Sequence, residues 1–148
     1  MLSGHDKRDE VITDAVVRIL GNSKLRESDA EFLISVGKID ESEEYLLGQA
    51  DQLNGNHYGS LLFLAEAMEE ENRHLVTSMI NLSLLTSVLE RGYTKAYPSS
   101  VRYLKKLDKF DEIVSDWKEF DNHQVFKEQI IEAHGRKRSF WSRYQVKK

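Results

Sequence analysis

An all-α fold is the expectation for this 148-residue chain, and three observations carry it. Apolar residues recur three and four positions apart through almost the whole sequence, while strict alternation over five or more residues is hard to find, so the period is helical. Glycines and polar turn residues fall between the periodic blocks and punctuate them. The single proline, Pro98, stands where a helix can begin, because its missing N–H costs nothing in the first turn.

Each element follows from its own residues. The first helix, Asp6 to Leu20, carries Val11/Ile12, Ala15/Val16 and Ile19/Leu20, and Gly21 stands where a left-handed C-terminal cap is wanted. The second opens at Ser28, which with Glu31 has the form of a capping box, and continues through Phe32, Leu33 and Val36 to Gly37. Asp40 with Glu43 repeats that form at the head of a third helix bearing Tyr45, Leu46, Gln49/Ala50 and Leu53, stopped by Asn54-Gly55-Asn56. The fourth, His57 to Glu70, presents Leu61, Leu62, Leu64, Ala65 and Met68 on one broad stripe. In the fifth, Arg73 to Arg91, apolar residues cover too much of the circumference for a surface helix, which predicts a rod sandwiched between neighbours and ended by Gly92. The sixth starts at Pro98 and extends its stripe through Val101, Leu104, Leu107, Phe110, Val114 and Trp117. A seventh begins near Asp121 or Asn122, turns Val125, Phe126, Ile130 and Ala133 inward, and stops at Gly135. Seven helices with short joins predict antiparallel hairpins stacked as a tetratricopeptide-like α-solenoid or an irregular helical bundle. The likeness between Tyr58 to Leu61 and Tyr97 to Val101 has the spacing of a helix pair, but the full tetratricopeptide pattern is not met.

With 40% hydrophobic and 31% charged residues the composition is that of a soluble globular chain. No linker composition interrupts it, so one domain over residues 1–148 is expected, with 1–20 as a capping or dimerising helix and 135–148 as a basic, aromatic tail. The absence of cysteine excludes disulfides, thiol catalysis and cysteine-based zinc or iron–sulfur sites. No apolar run approaches the ~20 residues that span a bilayer, and the N-terminus lacks the apolar core of a secretion signal, so no membrane partner and a cytoplasmic location are expected.

The net charge of −4 conceals a polarised chain. The last fourteen residues hold Arg136, Lys137, Arg138, Arg143, Lys147 and Lys148 with no carboxylate, whereas Ile39 to Asn72 holds nine acids and no lysine or arginine. An acidic body repels phosphate backbones, so nucleic acid is expected to be a partner only through the tail. There Arg136, Lys137 and Arg138 are interleaved with Phe140, Trp141 and Tyr144, and the Phe140-Trp141 pair is either a clasp on the core or an exposed anchor.

Motifs of chemistry are few. Neither a phosphate-binding G-x-x-x-x-G-K-[ST] loop nor G-x-G-x-x-G is present, and H-E-x-x-H and G-x-S-x-G are also missing. Glu71-x-x-His74 has the spacing of a di-iron helix motif, but there is one copy and it lies in a polar junction, which predicts a solvated turn. His123 and His134 flank the seventh helix with no partner identifiable from sequence. His123 is expected to cap or face solvent, and a protonated His134 would complement the helix dipole. Lys95, Tyr97, Arg102 and Tyr103, with Tyr93, form one polar-aromatic cluster at the head of the sixth helix, where two cations could meet an anion, or where the tyrosines could pack a helix corner while both cations pair with the acidic body. No catalytic residue, metal ligand or cofactor is expected.

Several stretches together carry a resemblance: Leu64-Ala65-Glu66-Ala67-Met68, Leu89-Glu90-Arg91, Lys95-Ala96-Tyr97, Val101-Arg102-Tyr103-Leu104, Trp117, His123, and His134-Gly135-Arg136-Lys137 with Phe140-Trp141. From about Glu31 to Trp141 the chain resembles the C-terminal helical-repeat region of an uncharacterised, mainly proteobacterial family related to the helical region that follows SWIM-type zinc fingers. The resemblance implies tetratricopeptide-like antiparallel helices, with the Phe140-Trp141 end folding back to close the solenoid, and it carries no activity. This chain departs from such proteins in being short and in lacking the finger. A solenoid without its N-terminal neighbours exposes an apolar face, so the first helix is expected either to cap the core or to bury Val11, Ile12 and Val16 in a homodimer. The functional expectation is a noncatalytic module binding an unknown protein partner, or a second copy of itself. The alternative is an accessory nucleic-acid-binding protein using the basic tail.

Overall fold

The computed structural model describes residues 4–118 and 120–145. Every regular element among them is helical, as the periodicity predicts: α1 (Gly4–Leu20), α2 (Glu27–Ser35), α3 (Ile39–Gly48), α4 (Tyr58–Glu70), α5 (His74–Arg91), α6 (Tyr97–Asp111), α7 (His123–His134) and α8 (Arg138–Gln145), with 3₁₀ turns at Ala50–Gln52 and Thr94–Ala96. The helices group into two compact units, residues 1–53 and 54–148. No helix among the described residues is long and apolar enough to cross a membrane.

In the first unit α1 turns Ala15 and Ile19 inward, with Ile12 and Val16 half-buried, and packs on α3. Val11 points outward at 67% exposure. Leu33 of α2 and Leu46 of α3 are completely buried where those two helices pair, and the buried Ser42 hydroxyl donates to the Ala30 carbonyl at 3.0 Å. The α1–α2 loop has no regular structure, so its backbone groups need other partners. Tyr45 supplies two of them, accepting from the Arg26 N–H and donating to the Lys24 carbonyl. Gln52 clamps the Leu25 N–H and Ser23 carbonyl, and Gln49 donates to the Asn22 carbonyl at 2.6 Å.

That clamped loop sets the start of α2, and the two expected capping boxes are not formed. Arg26 and Lys38 hold the N-cap positions without a side-chain hydrogen bond, so Ser28/Glu31 and Asp40/Glu43 lie inside their helices. Gly21 is not left-handed either; its N–H bonds Val17 in helical fashion. Three other helices end on a residue with positive φ: Gly37 after α2, Asn72 after α4 and Gly92 after α5. Each is followed by an N–H that bonds back five residues, from Lys38 to Leu33, Arg73 to Met68 and Tyr93 to Val88. This geometry satisfies carbonyls that the helix leaves open.

The second unit is built around α5, which lies between α4 and α6 as its apolar circumference predicts. Its buried Thr77, Ser78 and Asn81 bond back to carbonyls one turn earlier, so their polar atoms enter the core already paired. The Asn54-Gly55-Asn56 turn lies against α5, where a Cβ on Gly55 would stand 2.2 Å from the Ser83 carbonyl oxygen. Both α7 and α8 pack on α6. The core here joins Leu85, Leu89, Leu104 and Leu107 to Phe126, Ile130 and Phe140.

Three boundaries differ from the sequence reading. The third helix stops at Gly48 and passes into the 3₁₀ turn instead of reaching Leu53. The sixth stops at Asp111. Beyond it Asp116 accepts the Lys118 N–H and Lys118 adopts φ 54°, a conformation no helix contains, so Val114 and Trp117 lie outside the rod. Trp117 still covers the core edge, meeting Phe126 edge-on at 5.9 Å between ring centres. Finally, the expected tail contains an eighth helix. Phe140 has no exposed surface, and this burial fastens a segment whose own composition is polar and cationic.

Candidate functional site

Asn122 begins the site by capping α7, its side chain accepting the Val125 N–H at 3.0 Å. That cap places His123 at the first position of α7 and Lys127 one turn later on the same side. Phe126 and Ile130 anchor the helix on the core, although Val125 and Ala133, expected inside, are exposed. On α8, Phe140 plugs the core and Tyr144 follows one turn later. Both helices converge on Asp108 of α6.

One carboxylate there meets three donors. His123 Nε2 lies 2.6 Å from Asp108 Oδ1, with the His123 side chain only 12% exposed. Lys127 Nζ donates to Asp108 Oδ1 at 3.1 Å and to the Tyr144 hydroxyl at 2.6 Å, and Tyr144 donates to Asp108 Oδ2. Asp111, one turn along α6, faces His123 Nδ1 at 3.6 Å. His123 also meets the Phe126 ring edge-on at 5.2 Å.

The surroundings shape the protonation of the network. Burial pushes the Tyr144 phenol above its ordinary value, and the hydrogen bond to Asp108 pushes it further. Burial pulls the Lys127 ammonium down, but its hydrogen bonds to Tyr144 and Asp108 outweigh this and hold it above the usual lysine range. Tyr144 is therefore a neutral donor and Lys127 a cation at neutral pH.

The other singled-out residues are dispersed. Tyr97 is 3% exposed and its ring meets Phe140 edge-on, so it packs the helix corner. Lys95 is exposed, Arg102 is exposed with a 3.2 Å hydrogen bond to Ser99, and Tyr103 is half-buried with its phenol pushed up by burial. In the expected tail, Arg136 and Lys137 line a half-open cleft of about 560 Å³ at the α7–α8 turn, and Arg138 is exposed at the head of α8. Trp141 is half-buried and donates to the His134 carbonyl at 2.8 Å. Phe140 and Trp141 thus form a clasp on the core. Lys147 and Lys148 lie outside the described residues. His134 is pushed below the ordinary histidine range by burial and by Lys137, so it resists the protonation that a dipole role requires. His74 opens α5 with its ring 5.2 Å from that of Phe110, and no group of three metal-ligating side chains exists among the described residues.

His123 is the correction of most consequence: it is neither a cap nor a surface residue. Asp108, Lys127 and Tyr144 were not singled out as its partners. The available signal was a pair of charged faces, with Asp108 and Asp111 three apart on one helix and His123 and Lys127 four apart on the next.

A family model described as a family of unknown function, DUF6880, matches residues 9–143. The chain belongs to the DUF6880 family. The DUF6880 match begins within α1 and ends within α8, covering Asp108, His123 and Lys127 and stopping just short of Tyr144. Comparison with curated proteins and with solved structures returns no match.

Proposed function

We propose that this chain is a noncatalytic interaction module that works through its outer helix faces and holds another protein there. The closure of the Asp108 cluster supports this most. A reacting centre needs a group free to engage substrate beside space for it. Here the carboxylate is engaged by three donors drawn from the cluster itself. None of the four residues lines either the α7–α8 cleft or the half-open cleft of about 430 Å³ lined by Ala15, Arg18 and Phe32.

Large apolar side chains stand outward instead. Val17 is 67%, Tyr58 64% and Phe63 48% exposed, and such groups serve as anchors when a partner covers them. The partner can be a second copy, given the outward Val11 and Val17 of α1. The reading includes a cytoplasmic location, in keeping with a cysteine-free chain. Kinship with the bacterial helical regions that follow SWIM-type fingers belongs to the same proposal.

The test is recovery of the tagged chain from its host, followed by reconstitution and sedimentation of the complex. One defined protein, or a second copy, should be retained at fixed stoichiometry, and Val17→Asp or Phe63→Asp should release it without lowering the Tm. Turnover of a co-purifying compound that is abolished by His123→Gln in folded protein would overturn the reading.

A further inference from the structure

Charge is segregated across α6. Its two carboxylates, Asp108 and Asp111, both face His123 of α7. Its cations are Arg102, the adjacent pair Lys105 and Lys106, and Lys109. Arg102 and Lys109 each lie three and four residues from that pair, which places them along another face with about one turn, or ~5.4 Å, between successive levels. Lys106 is drawn to Glu69 of α4 at 2.6 Å. Arg102 bonds the uncharged Ser99 hydroxyl, and neither Lys105 nor Lys109 makes an ion pair among the described residues. Packed directly on α6 is α8, with Arg138 and Arg143 exposed in a segment that has no carboxylate. The cations of α6 and the arginines of the basic tail therefore lie on neighbouring helices; of the cluster read at the head of the sixth helix only Arg102 belongs to this row, because Lys95 lies in the 3₁₀ turn before α6.

What these helices lack selects the partner. None of the large apolar side chains exposed in the described residues lies in α6 or α8. An anionic membrane is bound by helices that also insert apolar side chains. Protein partners are anchored by aromatic and apolar groups that become buried. A wet, cationic face without apolar anchors matches a phosphate backbone, where Lys and Arg contacts supply most of the sequence-independent affinity. The unfavourable net charge is concentrated elsewhere, since residues 1–53 carry −6 while residues 54–148 carry +2. Trp141 and Phe140 are committed to the core, so base stacking contributes little and sequence preference should be weak.

We propose that the outward face of α6 and α8 binds the phosphate backbone of a nucleic acid through Arg102, Lys105, Lys109, Arg138 and Arg143. The inference rests on the module reading only in requiring that an outer face does the binding. Substrate turnover would remove that reading and leave the following titration unchanged.

Fluorescence anisotropy of the full chain with single-stranded RNA, single-stranded DNA and duplex DNA of about 20 nucleotides measures the affinity as salt rises from about 50 to about 200 mM. Five phosphate contacts predict an affinity loss of roughly 100-fold for a single strand and roughly 500-fold for a duplex over that range. The variants Arg102→Gln/Lys105→Gln/Lys109→Gln and Arg138→Gln/Arg143→Gln should each weaken binding and flatten the salt slope, with an unchanged circular dichroism spectrum and Tm. No binding at low salt, or binding by both variants as tight as that of the unaltered chain, would overturn the proposal. So would tighter binding of a polyglutamate peptide or of phosphatidylserine vesicles than of any of the three nucleic acids.

Discussion

His123 and Asp108, fifteen residues apart in the chain, are joined by a 2.6 Å contact between α7 and α6, and the same carboxylate receives Lys127 and Tyr144. One acidic side chain thereby fastens two helices to a third. If this clasp is structural, Asp108→Asn should cost about 1–3 kcal/mol, because it leaves the Lys127 ammonium without its counterion. Thermal denaturation should register a fall of roughly 2–4 °C per kcal/mol for a chain of this size. An unchanged melting curve would refute the clasp.

Stability should decline on the alkaline side. The folded chain holds the Tyr144 phenol and the Lys127 ammonium protonated above their ordinary values, so the unfolded chain releases those protons first. Their contribution is complete below about pH 10 and is lost as pH rises through the folded values. Tyr45 and Tyr103, both pushed up by burial, add to the same slope. Urea denaturation between about pH 8 and about pH 11 should show the decline, and Tyr144→Phe with Lys127→Met should make it shallower. Equal slopes in both proteins would exclude the network as a source.

Phe140 is the apolar half of the same attachment. Its truncation to alanine removes a ring with no exposed surface and should cost about 3–5 kcal/mol. Release of α8 would bring Trp141 into water and open Arg136 and Arg138 to trypsin. Fluorescence and limited proteolysis should therefore change together. Destabilisation without faster cleavage at these arginines would mean that α8 stays docked by other contacts.

Two glycines should respond oppositely to the same substitution. A methyl group on Gly55 meets the Ser83 carbonyl at 2.2 Å and Ser87 Cβ at 2.5 Å, so Gly55→Ala must push the turn away from α5. A loss of about 1–3 kcal/mol is expected. At Gly59, inside α4, nothing lies within 4 Å of the added carbon, and Gly59→Ala should gain about 0.4–1 kcal/mol by restricting the unfolded chain. Denaturant midpoints for the pair give the two signs directly.

Helix number and boundaries illustrate what a sequence shows and what it conceals. The all-helical class, the central position of α5, the starts of α4 to α7 to within a residue or so, and the end of α5 at Gly92 are visible as spacing along the chain, whereas the left-handed cap expected at Gly21 is found at Gly92 and Gly37 instead. The ends that went astray are those decided by remote partners. Tyr45 and Gln52 clamp the loop before α2, where Ser28 and Glu31 offered a local cap instead. The polar 138–145 segment becomes helical because Phe140 has a core to enter.

The candidate site divides along the same line. Sequence alone determined seven of the eight rods and the placing of α6 cations about one turn apart, because both depend on a repeat of 3.6 residues within one segment. Tertiary structure alone decided that Asp108 meets His123, Lys127 and Tyr144, that Tyr97 is buried, and that α8 packs on α6. Those outcomes depend on how the rods lie against one another, and a side chain between two helices is positioned by the volumes of the core that separates them. No local repeat encodes that sum.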